Sequence, residues 1–256
     1  MRIATFNIWN KDIEWESRIK AIRNEIERIN PDIIALQEVR STINSINELN
    51  VAQYICDELE SYQCVFKEYP ASPDEGLAFL SKIPVTSINT TWNTDTLESN
   101  YCAIRITINH DNVDYGITNV HLNWRTEEIR QQQITFVNDW ISANQNPYEI
   151  LCGDFNDLPF SNTYEHLIKD SWYDVALLDA TKNETTPQST LDFEKNRYLK
   201  ENKESRESVR YDWIFMKNDS NVEALHIESV EVFGSKLTKH DMVLPSDHYG
   251  VLTEFK

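Results

Sequence analysis

Four apolar runs in this chain end on side chains suited to binding metals or moving protons. Asn7 follows Ile3 to Phe6, Glu38 closes the run from Ile33 to Leu36, His121 follows Ile117 to Val120, and Asp154 and Asn156 follow Ile150 to Cys152 in "LCGDFNDLPF". Towards the C-terminus the order inverts, because Asp212 precedes Trp213 to Phe215 and the pair Asp247-His248 precedes Tyr249 to Leu252. If these groups share one site, the two late strands must run opposite to the early ones. Each residue also has an ordinary alternative. Asn or Asp at a strand end commonly forms a turn or caps a helix, Glu38 could be solvated, His121 could be a core histidine, and Ser246-Asp247 could be an Asx-turn. The coincidence of six strand termini argues for a common site over six separate turns. An EF-hand is excluded, since Leu158 and Pro159 fall where the third ligand and the glycine of that loop belong.

The elements that must position these groups are legible from periodicity. Ile3 to Phe6 reads as a strand. Trp15, Ile19, Ile22, Ile26 and Ile29 recur three or four apart, which predicts an amphipathic helix over Trp15 to Asn30, stopped by Pro31. "DIIALQEV" reads as a strand covered on both faces. A helix is expected over Ile46 to Leu59. "GLAFLSKIPV" reads as a strand broken at Pro84, and strands are expected at Tyr101 to Ile108 and Ile117 to Leu122. Glu127 to Ala143 places Ile129, Phe136, Val137, Trp140 and Ile141 on one helical face. Strands at Ile150 to Cys152, "YDWIFM", "VEVF" and "YGVLTEF" complete the chain. Two packed sheets flanked by helices are expected, in one domain spanning residues 1–256. The polar stretch from Lys182 to Ser208 is read as a surface excursion, because too little chain follows it for a second core.

The 256 residues are 40% hydrophobic and 11% aromatic, enough for a substantial core. With 42 acidic against 24 basic residues the formal charge is −18. Long nucleic acid is therefore disfavoured as a partner, although a local groove or bound metal can reverse the sign nearby. Cys56, Cys64, Cys102 and Cys152 lack CxxC spacing and are expected as free thiols in a reducing compartment, not as a zinc site. Neither a membrane span nor a signal peptide is visible, so the expected location is cytoplasmic.

In their order along the chain, "TFNIW", "IALQEV", "DEGLAFLSKIPV", "NVHL", "CGDFN", "RYDWIF" and "PSDHYGV" resemble the endonuclease/exonuclease/phosphatase superfamily, and the likeness spans nearly the whole chain. Two details depart from common members: Asn123 stands where "HLD" is frequent, and Gly250 replaces a frequent proline. The resemblance implies a four-layer α/β sandwich of the deoxyribonuclease-I type and a divalent-metal-dependent phosphoesterase. Such chemistry needs an in-line nucleophile, neutralised phosphoryl oxygens and help for the leaving alkoxide. Glu38 suits Mg²⁺ or Mn²⁺, and Asn7 can hold the metal or its water without adding charge. By resemblance, Asp247 completes the metal region. His248 with Asp212 forms a base and its orienting carboxylate. Asp154 and Asn156, two apart, can face the attacking water and the phosphate together. Gly153 is read as letting the backbone approach the substrate. Whether Asp154 or His248 activates the water stays open. By resemblance His121 donates to phosphate or leaving group, with Glu75 orienting it from behind.

A nuclease would need basic residues along the backbone of its substrate, whereas Arg40, Arg125, Arg130 and Arg197 are scattered; each could contact one phosphate or be an ordinary surface charge. Trp124 could stack on a ring or simply pack. Arg125, Trp124 and Arg197 are the substrate-contact candidates. A small or lipid-like phosphoester is the expected substrate, with a DNA or RNA nuclease as the alternative. A catalytically silent binding module on the same fold would have lost a ligand or the histidine pair, and none is lost.

Overall fold

The computed structural model describes residues 1–42, 49–70, 72–91, 103–200, 207–237 and 243–256. In chain order the elements are β1 (Arg2–Asn7), α1 (Trp15–Ile29), β2 (Ile33–Arg40), α2 (Val51–Asp57), β3 (Gln63–Tyr69), β4 (Ser72–Ser81), β5 (Val85–Thr91), β6 (Ala103–His110) and β7 (Val113–His121). There follow α3 (Glu127–Ser142), β8 (Tyr148–Asp154), α4 (Asn162–Lys169), β9 (Tyr173–Asp174), α5 (Val175–Lys182), β10 (Asp212–Asn218), β11 (Ile227–Phe233) and β12 (Gly250–Phe255). Two mixed six-stranded sheets result, ordered β11-β12-β1-β2-β4-β3 and β5-β6-β7-β8-β10-β9.

The doubly apolar strands explain the layers. In β2, Ile33 and Ala35 join the cluster between the sheets, while Ile34 and Leu36 meet α1 and α2 through Ile22, Ile26 and Ile55. In β8, Ile150 and Cys152 face the other sheet, and Leu151 packs with Ile134 and Val137 of α3. Successive side chains alternate faces, so a strand buried on both must be apolar throughout. The outcome is helix, sheet, sheet, helix.

Each sheet has one parallel pair, β1 with β2 and β7 with β8, which brings Asn7, Glu38, His121 and Asp154 to the same end. The late strands run against them, β10 antiparallel to β8 with Asp212 opposite Asp154, and β12 antiparallel to β1. This is the direction expected from the inverted order of polar and apolar residues if the groups share one site.

Several boundaries differ from expectation. The helix expected from Ile46 begins at Val51, where Asn50 caps it by accepting from the Gln53 amide; Ile46 itself lies outside the described residues, as do Tyr101 and Cys102. Phe136 is 47% exposed, and the buried face of α3 uses Gln133, Ile134, Val137, Asn138 and Ile141 instead. β3, β5, β9, α4 and α5 were not anticipated. β5 is an edge strand with only Thr91 buried, so it carries no apolar alternation to read. Nor does the stretch 182–208 stay at the surface: Thr190 and Asn196 are fully buried, while 201–206 lie outside the described residues.

Candidate active site

Asp154, almost fully buried at the end of β8, is the hub. Its Oδ2 accepts from Asn7 Nδ2 at 2.9 Å and lies 3.7 Å from His121 Nε2 and 3.8 Å from His248 Nε2. Its Oδ1 accepts from the Asn156 amide at 2.9 Å, and Asn156 Nδ2 donates to the Leu122 carbonyl. Gly153, at φ 142°, matters for a different reason from the one expected. A Cβ there would overlap the Val120 carbonyl of β7, so strand pairing by itself requires the glycine.

His248 Nδ1 meets Asp212 Oδ2 at 2.9 Å. Burial alone would lower the imidazole pKa, but Asp212 and Asp154 outweigh it and hold His248 charged well above the ordinary histidine value. Burial raises the Asp154 carboxyl, and the Asp212 charge adds to that rise. Asp212 Oδ1 is buried with no hydrogen-bond partner, an acceptor that a bound group would satisfy.

The carboxylates collect on the other side. A bulge between Leu36 and Val39 puts Glu38 in the left-handed region (φ 54°) and re-aims its side chain. Glu38 Oε1 accepts from Asn7 Nδ2 at 3.1 Å and Oε2 from the Asn10 amide at 3.0 Å. Asn10 Nδ2 also donates to Glu75 Oε2 at 3.1 Å, and its Oδ1 accepts from Arg40 Nε at 2.7 Å. Burial raises the Glu75 pKa, with Glu38 adding to it. Burial likewise pushes Asp247 up to about 6, again with Glu38 contributing. Three carboxyl groups in one another's field, with oxygen donors and no cysteine among them, fit a hard divalent cation. Asp154, Asp212 and His248 also offer ligand atoms within 4.8 Å of one another.

The structure thus brings together Asn7, Glu38, His121, Asp154, Asn156, Asp212, Asp247 and His248. Glu75 sits beside them, but the hydrogen bond at His121 Nδ1 is shared with the Tyr69 hydroxyl at 3.1 Å, and Glu75 is held by Asn10. The arginines have other partners: Arg40 pairs with Asp12, Arg130 with Asp157 and Arg197 with Glu14. Trp124 is 57% exposed, so it is not packing, and the Arg125 guanidinium lies 4.6 Å over its ring. Asn123, buried, accepts from the Arg125 and Thr126 amides in the turn before α3.

Sequence reasoning missed Asn10, Tyr69, Ser246 as a frame residue, and Asn196. Ser246 Oγ donates to the Asn7 carbonyl at 2.8 Å and accepts from the His248 amide at 3.1 Å. Asn196 Nδ2 donates to the Ser246 and Asp247 carbonyls at 3.1 and 2.9 Å. Asn10, three residues past Asn7 and just beyond the end of β1, and Ser246, beside Asp247, left signals that could have been followed.

Residues 4–248 match the model of the Endonuclease/Exonuclease/phosphatase family. No curated protein sequence matches the chain. Among solved structures, truncated TDP2 from Caenorhabditis elegans is 20% identical with a TM-score of 0.75, over 99% of this chain and 96% of that one. D. rerio TDP2 complexed with a single-strand DNA product is 16% identical with a TM-score of 0.80, over 100% and 98%. The human Nocturnin catalytic domain with bound sulfate is 23% identical with a TM-score of 0.75, over 100% and 93%. These likenesses establish the shared α/β sandwich.

Proposed function

Because the chain belongs to the Endonuclease/Exonuclease/phosphatase family, we propose that it is a divalent-metal-dependent hydrolase that cleaves a phosphoester by in-line attack of water. The observation that carries this reading is the convergence of His121 Nε2 and His248 Nε2 on one buried carboxylate, Asp154, itself tied through Asn7 to Glu38. Glu38, Asn7 and Asp247 would hold the cation, Mg²⁺ or Mn²⁺. Bound there, it would supply positive charge opposite the phosphoryl oxygens.

The roles left open by sequence divide on protonation. His248, kept cationic by Asp212 and Asp154, is a hydrogen-bond donor to a phosphoryl oxygen and not the base. Asp154, with its pKa raised, accepts the proton of the attacking water, Asn156 steadies that water or the phosphate, and His121 donates towards the phosphoryl or leaving-group oxygen. The water oxygen bonds to phosphorus as the ester P–O bond breaks.

The small phosphoester rests on the acidic net charge and the scattered arginines alone. The D. rerio TDP2 structure carries a single-strand DNA product, so a global charge does not exclude nucleic acid from this fold. Among the described residues, no helix is long and apolar enough to cross a membrane. The test is turnover of a panel holding a chromogenic phosphomonoester, a phosphodiester and a 5′-tailed single-stranded oligonucleotide, with Mg²⁺, with Mn²⁺ and with EDTA. Metal-dependent cleavage of at least one substrate, lost in Asp154→Asn, is expected. No turnover by metal-saturated protein would overturn the reading.

A further inference from the structure

Arg18 lies in the first turn of α1 and is fully buried, with no carboxylate bonded to it among the described residues. Every hydrogen bond it makes goes to a main-chain carbonyl. Nε donates to Pro245 at 3.1 Å, one terminal nitrogen to Lys11 at 2.9 Å and Ile13 at 3.3 Å, and the other to Ile8 at 2.7 Å and Trp9 at 2.6 Å. The rings of Trp9 and Tyr198 lie 4.5 and 5.9 Å from its guanidinium carbon, and Trp9 and Tyr198 touch each other at 4.9 Å. One side chain therefore joins three segments distant in sequence.

The carbonyls it holds flank the site. Ile8 and Trp9 lie between Asn7 and Asn10, and Trp9 adopts a left-handed conformation (φ 56°) that its neighbours must maintain. Pro245 immediately precedes Ser246, whose hydroxyl bridges the Asn7 carbonyl and the His248 amide. A buried cation without an anionic partner is expensive when only filling space is required, since an apolar side chain does that better. The guanidinium fork offers five donors in one plane; a lysine ammonium offers three from a single atom.

We propose that Arg18 is a positioning residue, clamping the Asn7–Asn10 loop to the Pro245–His248 loop in the one register that lets Asn7, Glu38 and Asp247 share a divalent cation. The cation half of this statement rests on the function proposed above; the clamp does not. Burial lowers the Arg18 pKa to about 10, which leaves it cationic at neutral pH, within the fields of Asp247 and Glu38.

The test compares wild type with Arg18→Lys and Arg18→Met by hydrogen exchange of the metal-free protein and by calorimetric titration with Mn²⁺. Protection is expected to fall together at residues 8–13 and 246–248, with β6 and β7 of the other sheet unchanged. Mn²⁺ affinity is expected to weaken by about 10- to 100-fold, the range seen when a residue behind metal ligands is lost. Loosening of one loop alone, or an even loss across β6 and β7, overturns the clamp. Unchanged Mn²⁺ affinity with both loops loosened overturns the link to the cation. Should the Arg18 variants fail to fold, Tyr198→Leu removes the half-buried ring and its hydroxyl bonds to Glu14 and Leu244, and must loosen the same two segments by a smaller amount. Wild-type protein that binds no Mn²⁺ overturns the function and the cation half together, and the exchange pattern alone then decides the clamp.

Discussion

The two sides of the site differ in how their charge is balanced. On the histidine side, His248 and Asp212 form a buried pair at 2.9 Å, and His121 sits against Tyr69 and Asp154. Positive and negative groups meet there within the protein itself. On the carboxylate side, Glu38 raises both Glu75 and Asp247, His248 opposes the rise at Asp247, and the two arginines there are engaged elsewhere, Arg18 on carbonyls and Arg40 on Asp12 and Asn10. One half pairs opposite charges; the other gathers like charges.

The comparison breaks most severely at its hub. His248→Ala and Asp154→Ala are each expected to lower kcat by about 10²- to 10⁴-fold with the circular dichroism spectrum retained; a variant keeping near-normal rates removes that residue from the chemistry. Glu38→Gln tests the carboxylate side alone and should weaken Mn²⁺ binding by at least about tenfold, read by calorimetry, while leaving the His248–Asp212 pair intact. Equal affinity in variant and wild type would show that the cation sits elsewhere.

Asp212→Asn separates the two halves further. With the carboxylate gone, His248 loses the strongest influence raising its pKa, so its imidazole should titrate at lower pH than in wild type, observed by ¹⁵N NMR of the ring. An unchanged midpoint would mean that Asp154 alone holds the proton.

Folded Asp247 titrates at about 6 against an ordinary 3.8. Its contribution to stability is therefore complete below the ordinary value and is lost as pH rises through about 6. The metal-free protein should lose melting temperature over that window, and added Mg²⁺ should restore more of it at about pH 7.5 than at about pH 5, where the site is protonated. A Mg²⁺ effect independent of pH would argue against Asp247 as a ligand. The smallest effect is expected outside both halves: Trp124→Ala, at an exposed position, should change unfolding free energy by less than about 0.5 kcal/mol. A larger loss would return Trp124 to a packing role.

The chain itself determined which residues stand at strand ends, because a strand buried on both faces must be apolar and its first polar residue marks the exit. It determined too that, if these groups share one site, the strand opened by Asp212 and the strand after Asp247-His248 run against the others. Local order of apolar and polar residues suffices for that. Tertiary structure decided the rest. Glu38 reaches Asn7 only through a bulge in β2, His121 finds Tyr69 from β3, and Arg18 and Asn196 meet loops far away in the chain. Arg130, open in the sequence to a phosphate contact or an ordinary surface charge, turns inward to Asp157. Which partner a charged side chain meets depends on register, bulges and loop docking, and these are set by contacts between segments that no short window of sequence contains.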